Sequence, residues 1–290
     1  MVRALSGLLT AACLFGAAPP AHAFVRTRTQ AGQGVPIFWD RRCIPYHINE
    51  RGSEDTTFLD IEKAAQRSYS AWQNVQCSDE ELSYQGKTNV ELVGYKTGEK
   101  NVNMLVFQEG DDWSHQSQII ALTTVTFCSE VSGTLCEQEG KILDADIEMN
   151  GRDFTFSTSP LPRPGRYDVQ NTVTHEAGHF LGLDHSLDPV STMYATAPAG
   201  EREKQTLEQD DVNGLCTIYP HVSPVPACEP FDVTGEYLVD DPYLESNTGG
   251  GGGNSACSTA PGGAVAPGPM LLLLAMSRLA IRRRRRSGSH

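Results

Sequence analysis

Hydrophobic and polar residues alternate and repeat with clear periods between residues 38 and 220 of this 290-residue chain. Residues 38–49, FWDRRCIPYHIN, place Ile44, Tyr46 and Ile48 at every second position, the period of a strand with one buried face. In residues 54–76, Phe58, Ile61, Ala65, Tyr69, Trp72 and Gln76 recur in steps of three and four. That spacing predicts a helix with one apolar stripe. Residues 82–95 and 102–107 read as strands. So does IIALTTVTFC (119–128), rich in β-branched residues. KILDADIEMN (141–150) alternates imperfectly and ends at Asn150-Gly151, a turn signal. Three prolines make 157–167 a loop. Asp168 is placed to cap a helix running to about Leu181, and TLEQDDVNGLCTIY (206–219) reads as the last helix. In that last helix Thr206 with Gln209 forms a predicted capping box. Strands and helices in this order predict a single α/β domain over 37–220.

The second long helix carries the chemistry. Its stretch THEAGHFLGLDHS (174–186) holds His175, His179 and His185. His175 and His179 are four apart, so on a helix they share a face and can address one ion. Glu176 stands beside the first, positioned to take a proton from a water. Gly182 suits the left-handed residue that ends a helix and reverses the chain, bringing His185 back to the same ion. Three neutral imidazoles leave the fourth position of a tetrahedral zinc open for water, the catalytic rather than the structural form of such a site. The arrangement resembles the HExxH motif of metalloproteases, which implies cleavage of peptide bonds with Glu176 as general base.

HExxHxxGxxH is the metzincin signature, and Met193 in STMYA fits the methionine turn under the metal. HEAGHFLGLDHS resembles the matrixin version of the motif. LEQDDVNGLCTIYP, with Asp210 and Asp211, and AWQNV (71–75) resemble the closing helix and the end of the first helix of matrixins. Tyr194 directly follows Met193, as in matrixins. In astacins and serralysins, the nearest alternative, the turn's tyrosine comes a residue later and can bind zinc. The resemblance implies a zincin-like α/β fold: a twisted five-stranded, mostly parallel sheet with one antiparallel edge strand, and three main helices. It implies that the edge strand around Ala121, Leu122, Thr123 and Thr124 pairs with an extended polypeptide substrate. Residues 187–205 would then line the pocket for the side chain after the cut bond. The chain departs from animal matrixins in two respects. No cysteine-bearing inhibitory propeptide is recognisable in residues 24–36, a short segment before the domain. The histidine and aspartate pattern of a matrixin structural zinc is also missing, and Asp111 and Asp112 could at most serve a calcium ion. The competing class is a surface-anchored adhesin or pseudoprotease on the same fold. The intact Glu176 argues against it, because loss of this base is the simplest route to an inactive homologue.

The two ends modify this picture. Residues 1–23 carry one early charge, Arg3, then an apolar run ending in AHA, a secretory signal pattern with cleavage after Ala23. Residues 221–256 read as a Pro-rich, acidic and Gly-rich stalk. Residues 257–290 join Cys257, the short apolar block 270–281 and five arginines at 282–286. This composite resembles the myxobacterial-type C-terminal sorting tail. The resemblance implies sorting or tail-processing machinery at the membrane and an exported, surface or extracellular, transiently anchored protein. Thirteen residues, 269–281, rise only ~20 Å as a helix, short of the ~30 Å hydrocarbon core. The formal net charge is −13. Seven basic residues and no acids lie in the two end segments, so the body is more acidic still. That excludes nucleic acid and anionic membrane as partners and favours a soluble monomer. Six body cysteines (Cys43, Cys77, Cys128, Cys136, Cys216, Cys228) predict three disulfides in an oxidising compartment. Proximity along the chain suggests Cys128–Cys136, Cys216–Cys228 and Cys43–Cys77.

Overall fold

The computed structural model describes residues 23–222 and the backbone of residues 252–259. The expected signal segment up to residue 22, most of the stalk with Cys228, and the tail beyond 259 lie outside the described residues. Five strands form the centre of the sheet: β1 (Cys43–Asn49), β2 (Glu81–Thr88), β3 (Met104–Gln108), β4 (Ile119–Phe127) and β5 (Ile142–Asn150). Their order is β2-β1-β3-β5-β4, with all pairs parallel except β4 on β5, which is antiparallel. The expected five-stranded sheet with one antiparallel edge strand is therefore present. The sheet then continues past β4. Gly252–Thr259 (β7) pairs antiparallel with β4, and Thr196–Ala197 (β6) pairs parallel with β7. The first half of β7 falls in what the sequence reads as stalk. A run such as GGNSACST carries no hydrophobic alternation, and its strand form comes from backbone pairing to an open edge.

Imperfect alternation in β5 has a physical cause. Eight of its nine residues are buried, so both faces pack, and three of them are acids, Asp144, Asp146 and Glu148. Asp146 accepts Gly94 N at 2.6 Å and Met104 N at 3.0 Å. Burial raises both carboxyls, Asp144 to about 7 and Asp146 well above the usual range, where the nearby Asp144 charge adds to it. Asp146 thus ties Gly94 and the start of β3 to β5 through their backbone N–H groups.

Helix α1 (Phe58–Gln73) starts at Thr57, whose hydroxyl accepts Asp60 N. Its buried face of Ile61, Ala64, Ala65, Ser68, Tyr69 and Trp72 matches the predicted stripe, but the helix ends before Gln76. It packs on α2 (Val169–Phe180), with Ser68 Oγ donating to Gln170 O at 3.0 Å and Trp72 Nε1 to Thr174 O at 2.8 Å. Helix α3 (Gln209–Ile218) is shorter than expected. Its capping box is formed by Glu208 and Asp211, not by Thr206 and Gln209. The start slipped because several capping residues lie close together in TLEQDD, and sequence alone does not rank them.

The disulfides require a correction. Cys128–Cys136 forms as expected, but Cys77 pairs with Cys216, joining the end of α1 to α3 across 139 residues. Neither Cys216–Cys228 nor Cys43–Cys77 forms. Cys43 is disulfide-bonded as well. Closeness along the chain failed as a guide because the fold brings the two helix ends together.

Candidate metal centre

Three structural elements converge on one point. Helix α2 is capped by Asp168, whose side chain accepts Asn171 N at 2.8 Å, and is buried along almost its whole length. It ends at Gly182, with φ +94°, where a Cβ would come within 3.0 Å of Ile37 O. Glycine is required there both for the left-handed turn and for the close approach. Thr27 N donates to Gly182 O at 3.0 Å, and Val25–Arg26 pairs antiparallel with Leu183–Asp184. The segment before the domain therefore braces the loop that carries His185.

His175, His179 and His185 each offer a ring nitrogen, and these atoms all lie within 4.8 Å of one another. Among the described residues this is the one group of three or more His, Cys, Asp or Glu side chains so arranged. His175 Nδ1 donates to Thr192 O at 2.6 Å, and His179 Nδ1 donates to Leu183 O at 2.8 Å. Each carbonyl fixes the proton on Nδ1 and leaves the Nε2 lone pair for a ligand. His175 Nε2 is buried and has no hydrogen-bond partner among the described residues. His179 Nε2 and His185 Nε2 stand 3.2 Å apart. Burial lowers all three pKa values, His179 to about 3, with the neighbouring histidines contributing for His175 and His179. The rings are therefore neutral, the form that binds a metal. Two buried rings oriented through Nδ1, with the half-buried His185 ring beside them, present ring nitrogens that fit zinc.

Met193 lies beneath α2, nearly fully buried. A Cβ at Gly178 would lie 2.2 Å from Met193 Sδ and 2.8 Å from Trp72 Cζ2. Gly178, in the middle of HEAGH, is thus the contact that lets the metal helix rest on the methionine turn. Sequence reading assigned it no role. The turn itself hangs on α3. Asp211 accepts Thr192 N at 2.8 Å, Met193 N at 3.1 Å and the Ser191 hydroxyl. Asp210 accepts Ser186 Oγ at 2.7 Å, next to His185, and both Ala23 N and Phe24 N at 2.9 Å. The two adjacent acids divide the work: one holds the turn, the other holds the third ligand's loop and the start of the domain.

Glu176 is fully buried. Its Oε2 accepts the Thr123 hydroxyl at 2.6 Å, and the same hydroxyl lies 3.2 Å from Glu176 O. Thr123 therefore serves twice: its backbone lies on edge strand β4 and its side chain orients the glutamate. Only the first role was expected, from the β-branched run and the family resemblance. Thr123→Val should lower kcat roughly tenfold at nearly unchanged KM, while Thr123→Ser restores it. Steady-state kinetics on a short fluorogenic peptide would show this, and a Val variant as fast as the parent would remove the role. Asp111 and Asp112 do not join a metal-binding group among the described residues, and Asp112 is engaged by Arg51 at 2.6 Å.

Comparison with known families is decisive at this point: the Matrixin family profile matches residues 38–220, from before the first strand to the end of α3. The chain belongs to the matrixin family. Among curated relatives, neutrophil collagenase of Homo sapiens is 33% identical over 82 residues, covering 28% of this chain and 16% of the relative. Metalloendoproteinase 2-MMP of Arabidopsis thaliana is 25% identical over 203 residues, covering 68% of this chain and 48% of the relative. Matrix metalloproteinase-18 of Xenopus laevis is 23% identical over 181 residues, covering 62% and 33%. The chain spans less than half the length of each. As a matrixin, the chain is expected to depend on zinc, and the His175, His179 and His185 triad is where this matrixin would hold it.

Proposed function

We propose that this matrixin is an exported zinc endopeptidase that cuts extended polypeptides. The observation that carries the reading is the triad of His175, His179 and His185, with the buried carboxylate of Glu176 on the helix that carries the first two. When bound, zinc supplies Lewis acidity toward a water and the scissile carbonyl. The protein supplies position and proton transfer. Edge strand β4 aligns the substrate backbone by strand addition, with Ala121, Leu122, Thr123 and Thr124 nearest the centre. Glu176, held by Thr123, takes the proton of the attacking water and returns it to the nitrogen of the leaving amine. Loop residues 187–205, with Met193 as floor, bound the pocket beyond the cut bond.

Export is supported by the signal-like first residues and by cysteines bonded in pairs. Cleavage after Ala23 would leave the Phe24 amine, 2.9 Å from Asp210 Oδ1, as a terminal ammonium on a carboxylate. No helix among the described residues is long and apolar enough to cross a membrane. Surface retention through the tail, and the machinery that would process it, belong to this proposal on the sequence resemblance alone. Mapping the fragments of a denatured protein by mass spectrometry tests the function. The expected result is internal cuts that stop with a zinc chelator; cuts that persist at the same rate would overturn the reading.

A further inference from the structure

The strand Gly252–Thr259 lies where a substrate is expected to lie. It runs antiparallel to β4, pairing Gly252 with Thr126, Ser255 with Thr123, Ala256 with Leu122 and Cys257 with Ala121. On its other side it pairs parallel with Thr196–Ala197, three residues beyond Met193. These are the two backbone rails of the cleft: the edge strand and the segment leaving the methionine turn. β7 also contacts the metal-binding helix α2. Its Ser255 stands opposite Thr123, the residue whose hydroxyl holds the Glu176 carboxylate.

We propose that this segment is an intramolecular occupant of the cleft, docked as a substrate-like strand that an incoming polypeptide must displace. Its sequence suits the role. GGNSACST offers a backbone for the ladder but no bulky side chain. Main-chain pairing supplies affinity in strand addition, while side-chain pockets supply preference. A strand with small side chains therefore binds weakly per contact. Tethering compensates, since a ligand carried on the same chain as its site binds intramolecularly, at a raised effective concentration. A polypeptide with one side chain that fills the pocket would win over it, so the tail sets a threshold rather than a permanent block. Its consequence for activity rests on the protease reading; its occupancy of β4 does not.

The test uses the full chain carrying Glu176→Gln, so that the strand is not consumed during measurement. Adjacent N–H groups of a strand point to opposite sides, so Ser255→Pro with Ala256→Pro removes a donor from each ladder. Hydrogen exchange is followed at those amides of residues 121–126 that face β7 and not β5. The expected result is slow exchange in the parent and exchange at least tenfold faster in the double-proline chain, with thermal stability of the domain unchanged. Adding the synthetic peptide GGNSACST at millimolar concentration should restore protection in the proline chain and change nothing in the parent. Equal exchange in both chains, or no response to the peptide, would overturn the proposal. Protection that behaves as expected in a chain whose Glu176 form cuts no peptide would sink the protease reading and leave the occupancy intact.

Discussion

Glu176→Gln is expected to reduce kcat for peptide cleavage by roughly 10²–10⁴-fold, the range for removing a positioned general base. Glutamine is chosen because its side-chain oxygen can still accept the Thr123 hydroxyl that now lies 2.6 Å from Oε2. The helix, the histidine orientation and the metal content should therefore be unchanged, and only the proton acceptor is lost. The measurement is kcat and KM on a fluorogenic peptide, with zinc per chain determined on the same sample. A fall in activity with one zinc still bound assigns the loss to proton transfer. A variant that retains full activity would show that some other group takes the proton. The buried carboxylate beside three metal-oriented imidazoles would then have no catalytic part.

Asp211→Ala should be the most damaging change away from the reacting groups. Its carboxylate accepts Thr192 N, Met193 N, Glu208 N and the Ser191 hydroxyl, and it is itself almost fully buried. Each buried donor left without an acceptor costs about 1–3 kcal/mol, and the terms are not additive because they share one partner. A combined loss of roughly 3–5 kcal/mol is expected. At about 2–4 °C per kcal/mol this lowers Tm by the order of 10 °C. The effect reaches the metal through one more link. Thr192 O holds His175 Nδ1 at 2.6 Å, so a loosened turn frees the first ligand ring. Zinc affinity should fall about 10–100-fold, as for other losses of a ligand's hydrogen-bond partner. Thermal denaturation and zinc competition with a chromophoric chelator check both parts. Asp211→Asn, which keeps an oxygen acceptor, should lie between the parent and the alanine variant.

The parts of this molecule that follow short-range rules were legible in its sequence. The α1 stripe and the strand-like runs placed the helix and the central strands, although the strand expected over 82–95 ends at Thr88 and the one over 38–49 begins at Cys43. HExxHxxGxxH placed the three ligands because helix geometry and one glycine turn fix their relation. What escaped reading depends on approach between distant segments. Gly178 has no local signal, yet the fit of Met193 and Trp72 against α2 requires it. Thr123 reads as one more β-branched strand residue until α2 is laid across the sheet. Asp210 and Asp211 read only as part of a matrixin-like closing helix, and apart from Glu208 N their partners are 18–187 residues away. The Cys77–Cys216 bond joins helix ends that no spacing rule connects. Gly252–Thr259 escaped for the opposite reason: its strand is made by an available edge, not by its own side chains.

Zinc titration of the metal-stripped full chain, read simultaneously as bound metal and as peptide cleavage, is the most direct test of the central claim. The account predicts that cleavage returns in proportion to zinc and saturates at one equivalent, and that His175→Ala removes both. Cleavage that is full before zinc is added, or one equivalent bound at the triad with no cleavage of any peptide in a diverse library, would contradict it.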